Sequence, residues 1–209
     1  MAASSAEELE RKAVGFNRLQ RPAREQGVTY TSDVTPLLTS GIPHRFMAND
    51  WSQFTKRINI DATTRAIYNA WAIPEQIESW FLSRADYTAP DGTAKFKTER
   101  VKAGDAYNWR WYGFANGSPE SGKVLEANGH NTFSFTFADD CIVEVTVVAE
   151  KSEKVVQLTQ KKIGPDEKLR LYIGCGEGWT FYLANLKSIL EGGIDLRNKN
   201  DKIKGVINS

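Results

Sequence analysis

Residues 122–137 read GKVLEANGHNTFSFTF, and this stretch decides the fold class. Val124 and Leu125 lie in a short apolar run that ends at Asn128–Gly129. Asn and Gly both tolerate a left-handed backbone, so the pair signals a hairpin turn. Beyond it Phe133, Phe135 and Phe137 alternate with Ser134 and Thr136. A period of two places all three rings on one side of a strand. Asp139–Asp140 supplies the next turn, after which Val143, Val145 and Val147 oppose Glu144 and Thr146. Val156 and Leu158 continue the pattern past a polar turn at 150–154. Upstream, Tyr107, Trp109 and Trp111 alternate with Asn108, Arg110 and Tyr112. Strands this close together, with no helix between them, form an antiparallel meander.

The flanks of the meander have a different period. Before it, Phe54, Lys56, Ile58 and Ile60 alternate as a half-buried strand, and Asp61 and Thr63 are candidate caps for a helix running to Trp71. Ile67, Ala70 and Trp71 share one side of that helix. Pro74 suits the first position of a second short helix, Glu75 favours its positive end, and Ile77, Trp80 and Phe81 form its apolar stripe. After the meander, Trp179, Tyr182, Leu183, Leu186, Ile189 and Leu190 follow a helical period that Gly192–Gly193 stops. Asn185, Lys187 and Ser188 are placed on its opposite face. Gly174, Gly176 and Gly178 precede the stripe and imply a tight start to the helix, or a close backbone approach.

Residues 1–50 differ in composition from the rest of the chain and read as an arm, with the domain occupying 51–209. Ser5–Ala6–Glu7–Glu8 is a capping-box pattern, and Leu9, Ala13 and Phe16 share a helical face that Pro22 ends. From there to Asn49 no period is sustained, which suits a linker. Met47 is a candidate natural start, and the alternative is that the arm is native. Glu7, Glu8, Glu10 and Glu25 contradict the acid-poor composition of an organelle-targeting peptide.

Composition narrows the functions. With 209 residues the chain has room for about 1.4 average domains. Lys and Arg number 27 against 26 Asp and Glu, so no basic surplus is available to neutralise nucleic-acid phosphates. No apolar run approaches the ~20 residues of a membrane span. Cys141 and Cys175 are a widely separated pair that suits buried thiols in a reducing, cytoplasmic compartment. Neither they nor His44 and His130 have partners at metal-ligand spacing, and the glycines before the last helix lack the Lys–Ser/Thr of a phosphate loop. No metal, nucleotide or other cofactor is expected, and no catalytic constellation can be named. Arg110 should point away from the side taken by the tryptophans, and Gln160 is the other strand residue of interest.

Three stretches together resemble the START-like (SRPBCC) superfamily, in the branch named for activators of heat-shock-chaperone ATPases. They are ATTRAIYNAWAIPEQIESWF at 62–81, GKVLEANGHNTFSFTF at 122–137 and GWTFYLANLKSIL at 178–190. The resemblance spans roughly 53–195 and implies the α+β helix-grip fold, a curved antiparallel sheet wrapped round a long C-terminal helix. It also implies an apolar cavity between the two. The residues that would bound it are Trp71, Trp80, Phe81, Trp109, Trp111, Phe133, Phe135, Trp179, Tyr182 and Leu186. Rigid rings on a curved sheet can leave a pocket, and the same rings can simply fill a core; both readings stand. The resemblance implies three functions. The first is binding of a small apolar or amphipathic molecule without catalysis. The second is regulation of a chaperone ATPase, for which 1–50 is too short to be the separate N-terminal domain that such proteins use. The third is a cavity enzyme of the cyclase or aromatase type, for which the sequence offers no acid or base.

Overall fold

The computed structural model describes residues 50–113, 119–165, 168–200, 202–203 and 206. The arm's residues 1–49, with its capping box, His44 and Met47, lie outside them.

Strand β1 (Phe54–Asn59) leads into α1 (Thr64–Ala72), whose start is set by Thr63: its side chain accepts a hydrogen bond from the Ala66 N–H at 3.1 Å. Pro74 disfavours a helical conformation for the residue before it, so Ile73 is extended and the helix breaks there. The proline then occupies the first turn of α2 (Pro74–Trp80), where a missing N–H costs nothing. Trp80 turns back and donates its indole N–H to the Ala70 carbonyl at 2.9 Å, locking the two helices together.

The meander continues the chain as β2 (Arg84–Thr88), β3 (Ala106–Arg110), β4 (Glu120–Ala127), β5 (Thr132–Phe137), β6 (Cys141–Glu150) and β7 (Glu153–Lys161). All seven strands form one antiparallel sheet in the order β1-β7-β6-β5-β4-β3-β2. The strands adjacent in sequence to the helix pair, β1 and β2, are therefore the two edges of the sheet, and α1 and α2 carry the chain between them. The long helix α3 (Lys168–Leu190) packs against both this pair and the sheet. This is the helix-grip arrangement.

Curvature has two visible causes. Between β4 and β5 the register steps from Val124↔Phe135 to Glu126↔Ser134, so Leu125 is an extra, exposed residue of a β-bulge, which bends a strand. Opposite Tyr107 on β3 stands Gly122. A Cβ there would lie 2.6 Å from both the Tyr107 hydroxyl and Thr136 Oγ1, so only glycine lets the phenol cross β4 and donate to the Thr136 carbonyl.

Several expectations need correction. Strand β2 has no counterpart in the sequence pattern, because RADYT contains one aromatic residue and two charges. Helix α3 begins at Lys168, about ten residues earlier than its apolar stripe suggests, so Gly174, Gly176 and Gly178 lie inside the helix and not at its start. Asn185 is not on the solvent face but fully buried. Its amide donates to the Trp80 carbonyl at 2.6 Å and to Asp195 at 3.1 Å, and it accepts from the Leu196 N–H at 2.8 Å. The residues after Gly193 are correspondingly anchored: Arg197 is buried against the end of α2.

Candidate functional site

The concave side of the sheet, the helix pair and α3 converge on one aromatic interior. Alternation brings Trp109 from β3 and Phe133 and Phe135 from β5 into it, all essentially without solvent exposure. Trp111, one residue past the end of β3, is half-buried but still joins the cluster. From the helices come Trp71, Trp80 and Phe81, and α3 adds Trp179, Tyr182 and Leu186.

The rings lie in direct contact. Trp71 meets Trp80 edge-on at 4.6 Å between centroids and Trp179 at 6.1 Å. Phe81 is the hub, 5.7 Å from Trp109, 5.5 Å from Trp111, 5.2 Å from Trp179 and 4.7 Å from Tyr182. Phe135 lies 5.0 Å from Trp109, 5.8 Å from Phe133 and 6.3 Å from Trp71. These separations and the prevalence of edge-to-face angles are those of favourable ring pairs.

The structure adds members beyond the ten residues expected from the sequence. Tyr107 stacks on Trp109 at 3.9 Å, Phe137 lies 5.3 Å from Trp179, and Tyr87 lies 6.3 Å from Trp109. Tyr107 and Phe137 belong to the two alternations that located their neighbours. Tyr87 sits on β2, which has no such pattern.

Polar atoms are few here, and one of them stands apart. Gln160, fully buried on β7, accepts from the Trp179 indole at 2.8 Å. The Cys141 and Cys175 thiols lie beside its amide, and the Trp109 indole and the Tyr87 hydroxyl face each other, whereas the buried Trp71 indole N–H has no hydrogen-bond partner among the described residues. A buried polar atom left unpaired costs about 1–3 kcal/mol, so the Trp71 indole calls for an explanation.

The titratable groups of this interior are phenols and thiols. Burial raises the phenols of Tyr87, Tyr107 and Tyr182 above their ordinary value. Burial likewise raises the Cys141 thiol and pushes the Cys175 thiol up to about 11. All five are neutral near pH 7, and both cysteines are free. Arg110 is exposed, on the side away from Trp109, and His130 is exposed in the β4–β5 hairpin. Among the described residues no three His, Cys, Asp or Glu side chains are grouped to hold a metal ion, and no helix is long and apolar enough to cross a membrane.

The family model described as "Activator of Hsp90 ATPase homolog 1-like protein" matches residues 61–191. The chain belongs to this family. The match begins at the residues that cap α1 and ends at the close of α3, so it takes in both helical segments and the meander. Among curated protein sequences none matches. Solved structures share the fold of this Hsp90-ATPase-activator-like chain at low identity. Protein SSP2350 from Staphylococcus saprophyticus superposes with a TM-score of 0.55 at 19% identity, over 69% of this chain and 96% of that one. Protein NE0264 from Nitrosomonas europaea gives 0.54 at 13%, over 69% and 97%. The Aha1 dimer from Colwellia psychrerythraea, solved in solution, gives 0.52 at 17%, over 68% and 97%.

Proposed function

We propose that the protein binds a small, mainly apolar molecule carrying one or more hydrogen-bond acceptors, taken into the aromatic interior between the sheet and α3. The observation that carries this reading is the buried Trp71 indole N–H among the rings, which has no hydrogen-bond partner among the described residues. An acceptor-bearing ligand would supply the missing partner while its apolar body replaces ring-on-ring contact. Binding without turnover fits the interior's chemistry, because its phenols and thiols are held neutral and none is poised to move a proton near pH 7. The free thiols suit a reducing, cytoplasmic setting.

The test is native mass spectrometry of freshly purified protein, then denaturation and extraction, alongside thermal shift with lipids, sterols and aromatic metabolites. A co-purifying mass, or a ligand that stabilises the fold by about 2.7 kcal/mol at a hundredfold excess over its dissociation constant, is the expected result. Trp71→Phe removes the orphan donor with little loss of volume. It should leave stability unchanged or improved and weaken that ligand by a few-fold to tenfold. No co-purifying molecule and no shift across the panel would overturn the reading. Family membership favours a second reading, stimulation of a heat-shock chaperone ATPase, and an ATPase assay with the full chain would reveal it independently of any bound molecule.

A further inference from the structure

Away from the aromatic interior, an open cleft of about 580 Å³ lies between the first turn of α1 and the β4–β5 hairpin, lined by Thr63, Thr64, Arg65, Arg100, Gly129 and His130. Every ionisable side chain in that lining is basic. Elsewhere on the surface several cations are matched: Arg57 with Glu150, Lys97 with Glu78 and Asp86, Lys161 with Glu144. In the cleft, none of Arg65, Arg100 and His130 forms an ion pair with an acid among the described residues.

The walls are fixed in place. Arg100 donates to Asn69 Oδ1 at 2.7 Å and lies over the Tyr68 ring at 5.9 Å. The next residue, Val101, is tied by its N–H to the Ala72 carbonyl at 2.9 Å. Across the cleft, the Gly129 N–H donates to the Tyr68 hydroxyl at 2.8 Å, joining the hairpin to α1. The Asn128 side chain accepts from the backbone N–H groups of His130, Asn131 and Thr132 and so sets the shape of the hairpin loop. Arg100 thus lines this space from a braced position, and Arg65 lines it from an exposed one on the first turn of α1. The positive end of α1 opens on the same space and adds to the field.

We infer that this cleft is a binding site for a phosphate monoester group. Guanidinium is the side chain whose planar fork matches phosphate oxygens, and the Thr64 hydroxyl and the His130 imidazole supply further polar atoms at the rim. The site is distinct from the apolar interior and does not depend on what that interior holds.

The test uses the full chain and calorimetric titration with inorganic phosphate and with phenyl phosphate, against chloride at equal ionic strength. A parallel arm measures co-sedimentation with phosphatidylcholine vesicles with and without phosphatidic acid. Saturable one-to-one binding of the free phosphates assigns the site to a soluble ligand, and binding confined to the phosphatidic-acid vesicles assigns it to a lipid headgroup. In either case Arg65→Gln and Arg100→Gln should each weaken binding about tenfold or more. Arg100→Gln also loses the Asn69 contact, so Arg65→Gln, at an exposed position, is the cleaner variant and should melt as the parent does. Absence of binding in both arms, or binding unchanged by Arg65→Gln, overturns the assignment.

Discussion

Replacing Arg197 by Met tests whether the segment after α3 holds the aromatic interior together. Arg197 is only 7% exposed. Its guanidinium donates to the carbonyls of Glu78 at 3.0 Å, Ser79 at 2.7 Å and Leu82 at 2.9 Å, while Asp195 accepts from Nε at 2.9 Å and from Nη2 at 2.6 Å. Those carbonyls belong to the last turn of α2 and the residues just after it, where a helix leaves its C=O groups without backbone partners. Phe81, the hub of the ring cluster, lies between them. Met fills similar space but donates nothing, so the buried Leu82 carbonyl, the part-buried Glu78 and Ser79 carbonyls and the Asp195 carboxylate each lose a donor. Hydrogen bonds from a charged donor contribute about 1.5–3 kcal/mol each, yet such losses at one group are not additive. Lys199 also remains beside Asp195 at 2.8 Å. Breaking a buried ion pair from one side, about 3–5 kcal/mol, sets the expected loss. At this chain length that corresponds to a fall in Tm of roughly 6–20 °C. Urea denaturation followed by tryptophan fluorescence reads both the stability and the environment of the ring cluster. Arg197→Lys should recover only part of the loss, because an ammonium cannot span the same carbonyls. Asn185→Ala, which cuts a second tie to Asp195, should couple to Arg197→Met by more than about 0.5 kcal/mol in a double-mutant cycle. A loss under about 1 kcal/mol for Arg197→Met, or strict additivity in the cycle, would refute the reasoning.

Three further outcomes are expected. Phe135→Ala should cost roughly 3–5 kcal/mol in urea denaturation if the ring is packed on every side, and clearly less, with altered ligand affinity, if the interior opens to a ligand. In the β6–β7 hairpin Lys151 and Ser152 both have positive φ, at 43° and 73°, so Lys151→Asn combined with Ser152→Gly should stabilise the fold by about 0.5–1 kcal/mol by calorimetry. Burial would raise the Asp195 carboxyl, but the hydrogen bonds from Arg197 and Lys199 outweigh it and hold its pKa well below the usual 3.8. Its contribution is therefore complete above the unfolded value and is lost as pH falls through 3.8 toward the lower folded value, so an acid titration of Asp195→Asn should show a shallower decline over that range than the parent.

Where the sequence carries a strict period, the fold is legible. The alternations at 133–137 and 143–147 place their residues on the faces the structure shows, because a strand with one buried side has no other way to hide three rings or three valines. Strand β2 carries no such signal: Ala85 and Tyr87 are its only buried residues, and Arg84 and Asp86 pair with each other along its outer side. The start of α3 is hidden for a related reason. Leu169 and Ile173 face solvent, so the apolar stripe cannot extend back through the first turns. Asn185 and Arg197 are beyond reach, because a polar side chain is buried only when long-range partners satisfy it, and those partners lie about a hundred residues away on α2.

The candidate site is legible to a different depth. Periodicity states which side of an element a residue occupies, and all ten residues named from it fall within the one buried cluster or against it. It is silent about spacing, which depends on how far α3 stands from the sheet. That distance is set by ring-on-ring contacts such as Phe137 to Trp179 at 5.3 Å and by the Trp179–Gln160 hydrogen bond at 2.8 Å. The same bond shows why a binding interior cannot be argued from aromatic content alone. Rings that satisfy one another make a core, and Trp179, with its indole paired, behaves as one of its members. Trp71 is as deeply buried but leaves its indole donor without a partner among the described residues, a cost that ring packing does not remove and that an acceptor entering the interior would.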